Sequence, residues 1–241
     1  MTPRPPARTR RAAGLIVIAA VGLLATAGCD PRTLLYFLQP FEPTIPPPGP
    51  SLKGKRVVVL AHAVTGTQGD FQAIDRELAR ALVTSLRKNV KRIDVVNPDK
   101  VWEWIEGHPS WSDPSEAAKA FEADMAIFLE VESFQVASPS SPGLLEGVAK
   151  THIQVFEMAH PKNSKGKVLY DQPKEGEKIY DDYQDTNFPV RGPIPETSAN
   201  SRAHFKNRFL QVVAAQISWH FVEHTPDDEI KDGKPLDSQF E

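Results

Sequence analysis

The stretch Arg56-Val57-Val58-Val59-Leu60-Ala61 is a short apolar run rich in β-branched residues, and it decides the fold of the chain. Such a run is typical of a strand that is buried on both faces of a sheet. The segment 71–88 follows it and carries Leu or Ile at every fourth position from Ile74 to Leu86, which indicates an amphipathic helix. A second strand is predicted at 90–96. A strand, a helix and a strand in this order indicate a crossover between parallel neighbours.

Capping signals and apolar periodicity predict the next elements. Asn97-Pro98-Asp99 opens a short helix. Asp113-Pro114-Ser115-Glu116 opens another, because it supplies a cap, a proline at the first helical position and an early acid. A meander of antiparallel strands then follows, predicted at 125–136, 145–158 and 167–171.

The last third of the chain divides into a polar segment and a helix. Residues 173–200 are polar and contain prolines, which predicts an irregular excursion. A long final helix is predicted from the apolar stripe Phe205, Phe209, Val212, Val213, Ile217 and Phe221. The order is therefore β-α-β-α-α-β-β-β-α. It indicates an α/β fold, a mixed-sheet sandwich with helices packed on the sheet.

This α/β unit is predicted to be a single domain over 53–224, with other kinds of segment on either side. Residues 29–52 form a proline-rich linker, whose seven prolines favour extended backbone. Residues 225–241 form an acidic tail that is predicted to be disordered.

The amino terminus is predicted to be a removable signal peptide over 1–28. Four arginines between Arg4 and Arg11 precede an uncharged, largely apolar run at 12–28 that ends in small residues. A permanent transmembrane helix is the alternative. The run has 17 residues and is rich in Ala and Gly, whereas a span usually needs about 20 more strongly apolar residues.

The segment Thr26-Ala27-Gly28-Cys29 resembles the lipobox of bacterial lipoproteins. The resemblance implies cleavage after Thr26, Ala27 and Gly28, and lipidation of Cys29 with acyl chains such as palmitate. The acylated Cys29 would then hold the mature protein on a lipid bilayer. Cys29 is the only cysteine, so no internal disulfide is possible, and lipidation would account for an otherwise unexplained thiol in an exported protein.

The succession of elements resembles a group of envelope proteins. The group includes the curli-secretion lipoprotein, the lipoprotein activator of penicillin-binding proteins, and the amino-terminal domain of the Tol translocation protein. The local likeness lies in Lys55–Leu60, in the leucine-striped helix, and in Glu122–Val131 entering a central strand. The resemblance implies a bacterial envelope protein with its domain in the periplasm. The turn at 137–143 is too short for the long hairpins from which the curli-type protein builds a pore.

Charge and motifs weigh against several classes of function. The chain has a net charge of −3, which becomes −7 without the four arginines of residues 1–28, so nucleic acid is not an expected partner. No Gly-x-Ser-x-Gly motif or phosphate-binding Lys-Ser/Thr loop is present, and no cofactor is predicted. His220 and His224 have a metal-compatible spacing, but no third ligand is evident, so no metal is predicted.

Two groups remain as candidate functional residues. Tyr180, Asp181, Asp182 and Tyr183 form an acidic aromatic cluster that could bind a protein partner. Glu130 and Glu132 share a strand face, predicted together with Phe128 and Phe134, and could act as an acid/base pair.

Taken together, the sequence features favour a non-enzymatic, lipid-anchored envelope protein that binds another envelope protein during assembly or secretion. An enzyme acting on cell-wall glycan through Glu130 and Glu132 is one alternative. A purely structural lipoprotein is the other.

Overall fold

The computed structural model describes residues 44–64, 73–138, 141, 143–161, 166, 168, 169, 172, 174–197 and 199–225. The predicted signal peptide, Cys29 and its neighbours Thr26, Ala27 and Gly28 lie outside the described residues. So does the tail beyond Thr225. Within the described part of the chain, no helix is long and apolar enough to span a bilayer.

One mixed sheet organises the domain, and its strand order is β2-β1-β3-β4-β5, with β6 paired to the start of β4. Strand β1 is parallel to both β2 and β3, and the pairs β3–β4, β4–β5 and β4–β6 are antiparallel. The strands are β1 (Arg56–Ala63), β2 (Asp94–Val95), β3 (Met125–Ala137), β4 (Leu144–Ala159), β5 (Glu175–Phe188) and β6 (Ile194–Pro195). The predicted α/β class and the parallel crossovers are confirmed.

Four helices in the described residues pack on the two faces of this sheet. They are α1 (Ile74–Asn89), α2 (Pro98–Gly107), α3 (Pro114–Ala120) and α4 (Ala199–Trp219). Helices α1 and α4 share the main core with one face, because their apolar stripes match its buried side chains. Helices α2 and α3 cover only part of the opposite face, around Val58, Leu60 and Ala126. Helix α3 begins as predicted, with the Asp113 carboxylate accepting the Ser115 N–H at 2.8 Å.

The prediction for the segment after β4 was wrong. Residues 173–200 are not an irregular excursion, because they contain the 14-residue strand β5. The strand predicted at 167–171 lies largely outside the described residues, which include only 168 and 169 of this range. Strand β5 lies at the end of the strand order and is largely exposed, burying only Thr186 and Phe188 fully. An edge strand with so little burial lacks the apolar alternation on which strand prediction depends.

A bulge in β3 also corrects the predicted face of Phe134. The pairing of β3 with β4 shifts register between Val131 and Ser133. The extra residue reverses the alternation, so Phe134 joins the main core while Phe128 packs on the opposite side with α2 and α3. Glu130 and Phe134 therefore point to opposite faces of the sheet.

The ordered domain begins before Lys53, where the sequence places its start. Leu52 is part of the main core and is 1% exposed. The Gly49 N–H donates to the His220 carbonyl at 2.8 Å, and Ile45 forms an antiparallel bridge with His224. Residues 44–52 of the predicted linker thus lie along the end of α4, because their backbone groups find partners there.

Candidate functional site

The part of the sheet that α2 and α3 do not cover is a polar surface, which we call the open face. It comprises the outward-facing side chains Glu130, Glu132, Lys150, His152, Gln154, Asp181 and Tyr183. Tyr183 is 47% accessible as a residue and the Glu130 and Asp181 side chains are 39% and 41% accessible, whereas the His152 side chain between them is only 12% accessible. One face of an antiparallel sheet can remain solvated in this way, because its backbone groups are paired within the sheet.

Register in the sheet places three functional groups in one row across three strands. Glu130 of β3 pairs with His152 of β4, which in turn pairs with Tyr183 of β5. Directly opposed residues in antiparallel strands project on the same side. The His152 and Tyr183 rings stack at a centroid distance of 4.3 Å and an angle of 8°. The row is therefore a preformed surface.

Charges on both sides hold the His152 ring in place. Its Nε2 lies 2.5 Å from Asp181 Oδ1, and its Nδ1 lies 3.6 Å from Glu130 Oε2. Asp181 also binds Lys178. Lys178 first, and then His152, lower the pKa of the Asp181 carboxyl group, so this carboxylate stays ionised at neutral pH.

Lys150 contacts two further side chains of the open face, Glu132 and Tyr183. Its Nζ lies 2.9 Å from Glu132 Oε2 and 4.7 Å from the centre of the Tyr183 ring. The hydrogen bond that the Lys150 ammonium group donates to Glu132 is the main cause of its raised pKa. Glu130 and Glu132 thus contact different basic side chains, His152 and Lys150. Such an arrangement suits an ion-pair network better than an acid/base pair.

The predicted cluster Tyr180–Tyr183 does not form a single surface. Because successive side chains of a strand point to opposite faces, Asp181 and Tyr183 lie on the open face while Tyr180 faces α4. The Tyr180 hydroxyl donates to Asp182 at 3.0 Å and lies 2.7 Å from His220 Nδ1. Burial, followed by Asp182, raises the pKa of the Tyr180 hydroxyl well above its usual value. Tyr180 is a packing residue.

Sequence reasoning missed Lys150 and His152. Both lie in the middle of β4, where alternating polar residues look like an ordinary solvated strand face. Only the pairing of β4 with β5 brings them next to Asp181 and Tyr183. The alternation of β4 was visible, but the existence of β5 was not.

The free edge of β5 is occupied by its own side chains. The Tyr183 N–H donates to the Asp182 side chain at 2.8 Å, and the Gln184 amide donates to the Asp185 carbonyl at 2.8 Å. Charged residues at frequent intervals along the strand add to this protection, as is usual for edges that avoid pairing with other chains. This edge of β5 is therefore protected against pairing with another strand.

The two histidines considered as metal ligands have other roles. His220 Nε2 lies 3.0 Å from Gln184 Oε1, while its Nδ1 lies next to the Tyr180 hydroxyl. The His224 ring stacks on Trp219 at 4.7 Å. In the described part of the chain, no group of three or more His, Cys, Asp or Glu residues is arranged to hold a metal ion.

Stability is expected to fall at acidic pH because of His220. Burial is the main cause of a pKa below the usual value for this imidazole, which is 7% exposed. Below about pH 6.5 the unfolded chain takes up a proton that the folded state resists, so up to about 1.4 kcal/mol is lost per pH unit. Above that pH His220 is neutral in both the folded and the unfolded chain, so its protonation no longer lowers the stability.

Urea midpoints between pH 5 and 8 will measure this effect. His220→Gln should flatten the acid limb, because glutamine retains hydrogen-bonding groups and does not titrate. His108→Gln is the matched control, since His108 is exposed. An equally steep acid limb in the His220 variant would contradict the assignment.

Comparison with known proteins assigns this chain to no family. No family model matches the chain, and no curated protein matches it. Among solved structures, it is similar to a PelC dodecamer from Paraburkholderia phytofirmans, with 10% identity and a TM-score of 0.38, over 76% of this chain and 98% of that one. It is also similar to lipoprotein GNA1162 from Neisseria meningitidis, with 10% identity and a TM-score of 0.39, over 70% and 99%.

A third similar structure is the hypothetical protein CT253 from Chlamydia trachomatis, with 13% identity and a TM-score of 0.37, over 70% of this chain and 97% of that one. One of these three structures is thus a bacterial lipoprotein by name. At this level of similarity, no function is transferred to this chain. The resemblance to the curli-secretion, activator and Tol proteins stays a prediction.

Proposed function

We propose that this chain is an exported, lipid-anchored protein of the bacterial envelope that is not an enzyme and that binds another envelope protein through its open face. Acyl chains on Cys29 hold it on a membrane, and its domain lies in the periplasm. The lipobox-like segment at 26–29 supports the anchor, and the residues before it support export.

The row Glu130–His152–Tyr183 is the observation that carries the binding role. It presents a half-exposed aromatic ring that is stacked on one side and flanked by fixed charges. Tyrosine is enriched at protein interfaces because it supplies a large contact area with few rotatable bonds. Since the ring is already held by His152 and Lys150, little conformational entropy is lost when a partner covers it.

The paired carboxylates support a binding role over catalysis. A general acid or base on this face would need a carboxyl group that can change protonation near neutral pH. Asp181 is instead held in its ionised form, and Glu132 is in a salt bridge to Lys150. Fixed charges of both signs are suited to orienting a complementary protein surface.

Photo-crosslinking from position 183 tests the proposed interface. The full chain, in its own membranes, carries p-benzoylphenylalanine in place of Tyr183. We expect a discrete crosslinked product that is absent when the same group replaces Glu103, an exposed residue of α2. Tyr183→Ala should reduce copurification of the crosslinked protein about tenfold or more, the effect of a strong interface residue.

Unfolding by urea provides the folding control. Tyr183 is half exposed, so Tyr183→Ala is expected to leave the domain folded. If positions 183 and 103 give the same products, or if the alanine variant copurifies unchanged, the open face is not the interface.

A further inference from the structure

A groove lies at the opposite end of α4 from residues 44–52. It is formed by the end of β5, by β6 and by the first turns of α4, and its volume is about 480 Å³. We call it the β6 groove. This volume is within the range of small-molecule sites, which is about 300–1,000 Å³. The groove lies apart from Glu130, His152 and Tyr183, so the proposed interface does not account for it.

The floor of the β6 groove is apolar and belongs to the main core. Leu145, Phe188 and Phe205 line it, and each of them is at most 5% exposed. Ile194 continues this surface outward and is 43% exposed. A continuous apolar surface thus runs from the core to the solvent, which is the shape that an aliphatic chain can fill.

The ionisable residues of the lining have one sign of charge. Arg191, His204 and Arg208 line the groove, and among the residues that the structure describes no Asp or Glu does. The Arg208 guanidinium lies 5.4 Å from the centre of the Phe188 ring, so positive charge stands directly against the apolar floor. The nearby Glu196 carboxylate is bound by Arg202 at 2.7 Å. The chain as a whole is acidic, which makes this local excess of basic residues a distinct feature.

The start of α4 adds to the positive potential. The first turn of this helix contains no acidic residue. The amino-terminal end of a helix carries a partial positive charge, which an acid in the first turn would offset. The helix dipole and the basic side chains therefore both make the electrostatic potential at the mouth of the groove more positive.

Several backbone groups in and beside the lining are not available to a peptide. Pro189 and Pro195 line the groove and have no N–H. The Gly192 N–H donates to the Pro189 carbonyl, and the Glu196 N–H donates to the Gly143 carbonyl. A peptide that binds in an extended form needs such donors along its length, whereas an aliphatic chain needs none.

We propose that the β6 groove binds a single-chain anionic amphiphile of the fatty-acid class. Its carboxylate is held by Arg191 and Arg208, and its aliphatic chain lies over Phe188, Phe205 and Ile194. Arginine suits this role because its planar fork binds a carboxylate through two hydrogen bonds. The site goes beyond the proposed function and stands without it, since neither the lipid anchor nor the open face takes part.

Photoaffinity labelling with mapping of the labelled peptide tests the proposal on the full chain in membranes. The probe is a palmitate analogue with a diazirine in its chain, and a trimethylammonium amphiphile with the same photoreactive chain is the charge control. We expect the anionic probe to label the tryptic peptide 192–202 about tenfold more than the cationic probe does, as one lost charge-assisted contact implies. Unlabelled laurate should displace it.

Two variants localise the binding. Arg208→Gln should lower labelling of peptide 192–202 about fivefold or more, the loss expected for a charge-assisted hydrogen bond. Ile194→Asp, at a partly exposed position, should do the same by placing a negative charge in the groove. Lys100→Gln, on the exposed side of α2, is the control and should leave labelling unchanged. A urea midpoint for each variant identifies any that fails to fold.

Several results would overturn the proposal. They are the absence of label on peptide 192–202, equal labelling by both probes, and labelling that neither groove variant reduces. Displacement of the palmitate analogue by an acetylated peptide ending in leucine, at lower concentration than laurate, would assign the groove to peptide carboxylates instead. Labelling of the amino-terminal segment alone would also count against it.

Discussion

Replacing Cys29 with serine is expected to move the protein from the membrane fraction to the soluble fraction. Serine has no thiol to receive a lipid, so no acyl chain can be attached at this position. Each buried methylene contributes about 0.8 kcal/mol, and two or more chains make attachment stable. Their loss should therefore remove almost all stable binding. Fractionation after a high-salt wash measures this, and incorporation of labelled palmitate should vanish in parallel.

A second substitution, in the same lipobox-like segment, provides the control. Thr26→Leu supplies the commoner lipobox residue at this position, and we expect it to retain both palmitate incorporation and membrane attachment. If the Cys29→Ser protein remains equally membrane-bound, the apolar run 12–28 is a permanent anchor and the lipoprotein assignment fails. The test leaves the domain intact, because Cys29 lies outside residues 44–225.

Gly147 and Phe209 are expected to show strong energetic coupling. A Cβ at Gly147 would lie 2.6 Å from carbons of the Phe209 ring, closer than real contacts allow. Phe209 is fully buried, and its ring packs 4.9 Å from that of Phe134. Gly147→Ala should therefore cost about 1–3 kcal/mol through overpacking, and Phe209→Ala about 3–5 kcal/mol through lost packing.

The double variant should cost less than the sum of the two single changes. Removing the Phe209 ring leaves room for the methyl group that Gly147→Ala adds, so we expect a coupling of about 1–2 kcal/mol. Urea unfolding of the four proteins measures it. Gly107→Ala is the matched control, since nothing lies near its Cβ position. Strict additivity would show that the close approach in the structure is not present in solution.

The elements that were predicted correctly all have strong local patterns. The leucine stripe of α1 and the β-branched run of β1 are visible in the sequence, because each buries a continuous apolar surface. The cap at Asp113 is a local hydrogen bond between neighbours in the chain, so its residues predict it directly. Their order was sufficient to predict parallel neighbours for β1, because a helix between two strands carries the chain back across the sheet so that both strands run in the same direction.

The candidate site was predicted only in part. Asp181 and Tyr183 were chosen for their chemistry, but they were assigned to a loop together with Tyr180 and Asp182. Strand alternation separates these four residues onto two faces, so Tyr180 packs against the residues that follow α4 while Asp182 is half exposed beside it. His152 and Lys150 were absent from the prediction, because their role depends on which strand lies beside β4.

The sequence by itself determined the succession of helices and strands, the mixed sheet and the lipobox-like segment, since these depend on residues that are close together in the chain. Only the tertiary structure decided that β5 is an edge strand, that a bulge turns Phe134 inward, and that Arg191, His204 and Arg208 share one groove. These features depend on contacts between distant segments. A polar edge strand such as β5 has almost no apolar pattern of its own. Its position in the sheet therefore depends on the strand with which it pairs.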